Sequence, residues 1–337
     1  MKMFLGGLAG SALSLALLSS LYKEKFDKAR ESRGWGDKGV VSAILGGFIQ
    51  GSGMALAASC PGMAFAQLGA GVKTAPYVYL GGVAGAFVYG ILNRWLQEHH
   101  AFDFAKTMEG KFESMHLERV FFSGQFVPIA ISFGMLTLSV SFAIDHIVPW
   151  KADIADVVGV NPNYAINPTL AGLLIGVLQI PLFMFLGSFL GASSGYSVIS
   201  SQVFRLVPEE FLLQYSYAKN FMNSKASWQV GLGIGIIIGS ALASGFAKTI
   251  YDSVTTGAPL VASAAAHVGL LDAFIGGFLI VFGARFVGGC ASGHGLSGLP
   301  SLHVVSWFTV PSMFAGAIFT GNVLAHLMGK SAYLMQQ

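Results

Sequence analysis

The chain has 337 residues, of which 54% are hydrophobic and only 10% are charged, and its formal net charge is +3. Soluble proteins carry roughly 25% charged residues, so this composition, with a mean hydropathy of +0.65, excludes an ordinary soluble domain, a disordered chain and a nucleic-acid-binding protein. The two cysteines, Cys60 and Cys290, lie too far apart in sequence for a disulfide framework or a Cys-x-x-Cys zinc site.

Apolar runs of about 20 residues, the length that crosses a ~30 Å hydrocarbon core, follow one another along the chain. They predict eight membrane-spanning helices, over 3–22, 39–58, 76–95, 120–144, 169–190, 228–249, 268–288 and 303–328. Three further segments, 60–72, 191–204 and 290–300, are too short to cross and are rich in Gly, Ser and Pro. Such interruptions predict re-entrant or half-membrane structure.

The two ends of the chain contain a repeat. Gly46-Gly47-Phe48 recurs 230 positions later as Gly276-Gly277-Phe278, and Cys60 recurs at the same offset as Cys290. This repeat predicts a duplicated unit, and it favours a structural first helix over a cleaved signal peptide. The predicted division is a first repeat of three spans and a Cys60 half-helix, a central insert of two spans and a short re-entrant segment, and a second repeat of three spans and a Cys290 half-helix, over 1–100, 101–227 and 228–337.

Basic residues concentrate in alternate loops, which predicts which side of the membrane each loop faces. The basic loops 23–38, 94–119 and 205–225 are predicted inside, and the loops 145–168 and 250–267 outside. An odd number of spans then separates the two repeats, so they enter the membrane in opposite directions. The predicted fold class is an all-α integral membrane protein with two inverted helical repeats, re-entrant half-helices and a central two-span insert. In transporters of this kind the substrate site lies where the helix breaks meet.

Each cysteine lies in one of the two matching breaks. Pro61 follows Cys60 and suits the first position of a short helix, whereas Gly288 and Gly289 precede Cys290 and allow close approach of backbone and substrate. Helix N-termini at such breaks carry about half a positive charge and favour an anion between them. A free cysteine is most often a small buried hydrophobe, but packing alone does not require the same thiol at both breaks. We therefore expect both cysteines to contact substrate.

Two further ionisable residues lie in the second break. Arg285 occupies an apolar run, where an arginine costs about 2.5–3.5 kcal/mol on insertion scales. It is interpreted as a fixed positive charge beside an anion path, and the alternative is an arginine that snorkels to the interface or bonds carbonyls of the broken helix. His294 has three alternatives: a ligand, a hydrogen-bond donor or a residue of a polar turn. The segment 191–197 either lines a vestibule or forms a plain turn.

The two breaks carry motifs that resemble the YeeE/YedE sulfur-transport family. They read Gly53-Met54, Cys60-Pro61-Gly62-Met63 and Gln67-x-Gly69-Ala70-Gly71 in the first, and Gly283-Ala284-Arg285 and Gly288-Gly289-Cys290-x-Ser292-Gly293-His294-Gly295-x-Ser297-Gly298 in the second. The resemblance implies an hourglass-shaped membrane protein that takes up thiosulfate or a related sulfur anion. It makes Cys60 and Cys290 substrate-contacting residues, and it implies a soluble sulfur-carrier protein as a partner at the inner face.

The residues expected to bind or relay the anion are Cys60, Cys290, Arg285, Pro61, Gly62, Gly288, Gly289, Ser292, His294 and Gln67. The best-known family members have a third cysteine in an early helix, where this chain offers only serines such as Ser11 and Ser14. A free thiol, with a pKa of about 8.5, stays mostly protonated and offers an S–H donor. We therefore expect the anion to pass from the Cys60 loop to the Cys290 loop without covalent capture.

Two other classes of membrane protein stay open at this point. A soft-metal ion transporter would use Cys60 with Met63 and Cys290 with His294 as ligands, although Arg285 would repel a cation. A membrane thiol oxidoreductase would need the two cysteines to pair or cycle, and the sequence has no second thiol beside either one. We expect a multi-pass transporter of the inner or plasma membrane in contact with lipid, without enzymatic activity, cofactor, metal or nucleic-acid partner.

Overall fold

The computed structural model describes residues 1–31, 39–98, 116–118, 125–155, 166–203, 220–222, 227–252 and 268–328. Within these ranges the secondary structure is helical, apart from one isolated β-bridge between His116 and His303. The helices are α1 (Lys2–Leu21), α2 (Lys23–Glu31), α3 (Gly39–Ala57), α4 (Pro61–Gly69), α5 (Ala75–Glu98), α6 (Phe126–Ile147), α7 (Trp150–Ala155), α8 (Pro168–Val177), α9 (Gln179–Leu186), α10 (Ser193–Val203), α11 (Trp228–Asp252), α12 (Leu270–Val287), a π-helix (Ala291–Gly298) and α13 (Val304–Met328).

Eight stretches of the described chain are long and apolar enough to cross a membrane, which confirms the eight predicted spans. They are Lys2–Leu21, Gly39–Gly69, Ala75–Asn93, Phe126–Ile147, Pro168–Leu186, Trp228–Phe246, Leu270–Val287 and Val304–Leu324. The fifth span is not one continuous helix, because α8 ends at Val177 and α9 begins at Gln179. Pro181 explains this interruption, since it has no N–H to donate to the carbonyl of Val177.

The central helices α3 and α12 pack at glycines. A Cβ added to Gly46 would lie 2.9 Å from the carbonyl oxygen of Gly283, and one added to Gly53 would lie 2.6 Å from the backbone nitrogen of Ile280. Larger residues would push the two backbones apart, so glycine is what permits this close crossing. Helix α13 packs on the other side of α3, and α5 packs on the other side of α12.

The chain breaks sharply after both central helices. Ala58 follows α3 with φ +45°, and Gly288 follows α12 with φ +92°. These left-handed residues are 230 positions apart, and each is followed two residues later by a cysteine. The short segments predicted at 60–72, 191–204 and 290–300 contain α4, α10 and the π-helix. Most of the predicted loops 94–119, 205–225 and 250–267, and the domain junction at 100/101, lie outside the described residues.

Helices of the predicted insert pack mainly against the first helix of the chain. Helices α6 and α8 both contact α1, and the hydroxyls of Ser141 and Thr169 hold α6 to α8 at 2.8 Å. Lys2 at the start of α1 pairs with Asp145 near the end of α6 at 3.2 Å. The short helix α10 contacts α5 and α11. It therefore lies close to the two breaks.

Candidate functional site

A cavity of about 720 Å³ reaches the second break. Its wall includes Arg285 and Cys290, the glycines of the break, and the exposed lysines Lys25 and Lys28 of α2. The cavity therefore opens on the face of the protein where α2 lies, and it connects that face to a buried arginine and a buried thiol. Of the predicted site residues, it brings together Arg285, Gly288, Gly289 and Cys290.

Cys290 is a free thiol surrounded by hydrogen-bonding groups. Only 1% of its surface is exposed, and its Sγ lies 3.1 Å from the hydroxyl oxygen of Ser292. The hydroxyl of Ser193 and the backbone N–H groups of Ala192 and Gly293 also lie near enough to this sulfur to interact with it. The sulfur is thus buried and at the same time polar in its surroundings, an arrangement suited to a negatively charged ligand.

Arg285 is buried next to this thiol. Its side chain is 97% buried, since its residual exposure is 3%, and its guanidinium donates hydrogen bonds to the hydroxyls of Ser193 and Ser194, the latter at 3.3 Å. Ser193 therefore lies between the positive charge of Arg285 and the sulfur of Cys290. A snorkelling arginine would extend to the membrane surface, whereas this guanidinium lies in the wall of an internal cavity.

Cys60 has a less polar environment. It is the N-cap residue of α4, which begins at Pro61 as predicted, and its Sγ accepts a hydrogen bond from the backbone N–H of Met63 at 3.4 Å. The neighbouring α4 residues Ala64 and Phe65 belong to a buried apolar cluster. Cys60 is partly buried and does not line the cavity that reaches Cys290.

Gln67 and His294 lie behind the two breaks. The amide of Gln67 accepts a hydrogen bond from the hydroxyl of Ser59 at 2.8 Å and donates one to the carbonyl of Ala58 at 3.1 Å. His294 is fully buried, with its Nδ1 3.0 Å from the hydroxyl of Ser306 on α13. Gln67 supports the backbone of the first break, His294 links the second break to α13, and neither is part of the cavity wall.

The central insert supplies a part of the site that the motifs do not contain. Tyr196 of α10 donates a hydrogen bond to the carbonyl of Pro61 at 2.9 Å, and a Cβ on Gly62 would lie 3.8 Å from the Cβ of Ala192. Since Ala192 and Ser193 also lie near the sulfur of Cys290, the segment 192–196 is close to both breaks. Its run of small and hydroxyl-bearing residues in an apolar chain was the available signal, and the alternative of a plain turn is not what is observed.

Comparison with known proteins agrees with this architecture. The family described as sulphur transport matches residues 1–319, which include both breaks and the insert. The thiosulfate transporter TsuA of Escherichia coli (strain K12) is 22% identical over 299 residues, covering 85% of this chain and 75% of that protein. With eight stretches of its described residues long and apolar enough to cross a membrane, and a family match over nearly its whole length, the chain is a multi-pass membrane transporter that belongs to the sulphur-transport family.

Proposed function

We propose that this protein takes up thiosulfate or a related small sulfur anion, and that the anion passes from the Cys60 loop to the Cys290 loop without a covalent bond to either sulfur. The observation that carries this proposal is the cluster of Arg285, Ser193 and Cys290 in the wall of the cavity. The family supports a sulfur compound as the substrate, and the relative TsuA bears the name of a thiosulfate transporter.

The cluster supplies what a small sulfur anion requires inside a membrane. An anion that leaves water loses its hydration, and the loss must be offset by a positive charge and hydrogen-bond donors. Arg285 supplies the charge and the hydroxyls around Cys290 supply donors. Lys25 and Lys28 add positive potential at the mouth of the cavity, which raises the local concentration of anions.

The proximity of the two cysteines supports a handover between them. Their side chains lie close enough for electrostatic interaction between them, and the segment 192–196 contacts both breaks. A thiol is a weak hydrogen-bond donor, so each cysteine binds the anion only weakly. Several weak sites in series allow both capture and release.

The packing of the short helices supports the inverted repeat that this mechanism uses. Phe65 of α4, in the first predicted repeat, covers Gly233 of α11, in the second, and a Cβ on Gly233 would lie 2.9 Å from the ring. Phe4 of α1, also in the first predicted repeat, covers Gly295 of the π-helix, in the second, at 2.8 Å by the same measure. The positions correspond through the repeat with the two residue types exchanged. One break would then be reached from each side of the membrane, with the cavity of Cys290 on the inner side of the cell membrane and available to a soluble sulfur carrier.

Uptake of radiolabelled thiosulfate by cells that lack other sulfur importers tests the proposal. The wild-type protein should support uptake and growth on thiosulfate, and Cys60→Ala and Cys290→Ala should each reduce uptake at least about tenfold. Removing a thiol from a glycine-lined break leaves little cavity, so both variants should fold. Wild-type uptake by both variants at normal expression would show that the cysteines only fill space in the protein interior. Accumulation of copper instead of thiosulfate would support the soft-metal alternative.

A further inference from the structure

The cavity wall contains a pair of hydroxyl groups outside both sequence motifs. Ser193 and Ser194, at the start of α10, line the cavity, and both accept hydrogen bonds from Arg285. We propose that these two serines and Arg285 bind the oxygen end of a sulfur oxyanion and direct its terminal sulfur toward Cys290. This assignment rests on the proposed transport function and specifies how the substrate is recognised.

The hydrogen-bond chemistry of the serines leads to this assignment. A serine hydroxyl has one hydrogen to donate and two lone pairs that accept. Because the guanidinium of Arg285 uses a lone pair of each oxygen, each hydroxyl keeps its own hydrogen for another acceptor. For Ser193, which is 3% exposed, the sulfur of Cys290 lies within reach, and Ser194 is partly exposed at the cavity wall. When a bound oxygen atom takes the hydrogen of Ser193 in place of the sulfur of Cys290, it meets a positive charge and two O–H donors polarised by it.

The thiol of Cys290 suits the opposite end of such a substrate. Sulfur is soft and polarisable, and its S–H group is a weak donor, whereas the oxygens of a sulfur oxyanion are strong acceptors that prefer charged and hydroxyl donors. The hydroxyl of Ser193 accepts a hydrogen bond from Arg285 and lies near the sulfur of Cys290, so both kinds of group face the same cavity. The favoured class is thus an oxyanion with oxygens on one sulfur and a second, terminal sulfur. Sulfate has four oxygens and no terminal sulfur, so it matches the donors around Arg285 but not the thiol of Cys290.

The size of the cavity makes recognition by chemistry necessary. A volume of about 720 Å³ is large for a ligand of a few atoms, so the walls cannot select a small anion by shape alone. Discrimination must then depend on which donors meet which end of the ligand. This is a general means of rejecting analogues, because a buried polar group that is left without its partner weakens binding.

Two inhibitors that each resemble one end of the substrate test the orientation. Methanesulfonate has the sulfonate oxygens without a terminal sulfur, and thiocyanate has a terminal sulfur without oxygens. Both should inhibit radiolabelled thiosulfate uptake by the wild-type protein in proteoliposomes. In Ser193→Ala the inhibition constant of methanesulfonate should rise about tenfold, as expected for a lost hydrogen bond to a charged ligand. The constant of thiocyanate should stay within about twofold.

Ser194→Ala should show the same selective change, and it serves where Ser193→Ala proves unstable, because Ser194 is less buried. Ser201→Ala is the matched control: it lies on the same helix, is 1% exposed, and its hydroxyl bonds the carbonyl of Val198 at 2.7 Å. Equal weakening of both inhibitors, a larger effect on thiocyanate, or inhibition of the wild-type protein by neither compound would overturn the assignment. A wild-type protein without any thiosulfate uptake would instead reject the transport function itself.

Discussion

The two cysteine loops share a backbone design and differ in chemistry. Each follows a left-handed residue, Ala58 or Gly288, at the end of a central helix. Around Cys60 the polar groups are the backbone N–H groups of Met63 and Gly62, beside a mainly apolar cluster. Around Cys290 lie the hydroxyls of Ser193 and Ser292 and the backbone N–H groups of Ala192 and Gly293. The buried guanidinium of Arg285 donates a hydrogen bond to the hydroxyl of Ser193.

This difference separates the backbone design that the two breaks share from the chemistry that one of them has alone. The break itself is present in both halves, but the position of Arg285 corresponds to Ala55 in the first half, 230 residues earlier. A helix of this kind can therefore be built without the charge. We infer that the Cys290 loop binds the anion more strongly and that the Cys60 loop is a weaker binding site on the same transport path.

Accessibility labelling should give an all-or-none distinction between the two faces. A cysteine introduced at Lys23 lies on the face of α2, and one introduced at Lys151 lies beyond α6; both positions are exposed. An impermeant thiol reagent added to intact cells should label Lys151→Cys and spare Lys23→Cys until the cells are opened. The protein without an introduced cysteine measures background from Cys60 and Cys290. Labelling of both variants from one side would contradict the inverted repeat.

Replacing Arg285 should have the largest effect on transport of any change outside the cysteines. Arg285→Gln should lower uptake by about 10–100-fold, the equivalent of losing about 1.5–3 kcal/mol from a charge-assisted interaction. Arg285→Lys should retain part of the activity, because a point charge remains although the forked geometry is lost. Uptake and thermal stability in detergent should be measured on the same preparations.

The contrary result for Arg285 is equally clear. If the guanidinium serves mainly to hold α10 against the break, both variants will melt at lower temperature. Wild-type uptake per folded molecule in a destabilised Arg285→Gln protein would remove Arg285 from the anion site.

A smaller effect is expected at the Cys60 loop, where Gln67 supports a strained turn. A left-handed alanine costs about 1–2 kcal/mol, and Gln67 bonds both Ala58 and Ser59. Gln67→Leu should lower the free energy of unfolding by about 1–3 kcal/mol, because it leaves buried polar groups unsatisfied. Gln202→Leu is the control, since Gln202 bonds the carbonyl of Val198 in its own helix. Equal melting temperatures for the two variants would show that Gln67 does not stabilise the break.

Much of the architecture was predictable from local sequence. Spans of about 20 apolar residues cross a bilayer whatever they pack against, so all eight were found. The start of α4 was also predictable, because Pro61 has no N–H to lose at the first turn. Pro181 carried a comparable signal within the fifth predicted span, but a proline in a membrane helix is often tolerated, and the division into α8 and α9 was missed.

The sequence by itself determined the fold class, the eight spans, the two breaks and the presence of a thiol in each, because helix length, glycine, proline and a repeat are properties of neighbouring residues. Only the tertiary structure decided that Ser193 lies between Arg285 and Cys290. The hydrogen bond from Arg285 to Ser193 joins residues that are 92 positions apart in the chain. It also decided that Gln67 bonds the backbone of the first break and that His294 contacts the hydroxyl of Ser306, both outside the cavity wall. A hydroxyl, amide or imidazole accepts many partners, and which one it meets depends on helices that pack together from distant parts of the chain.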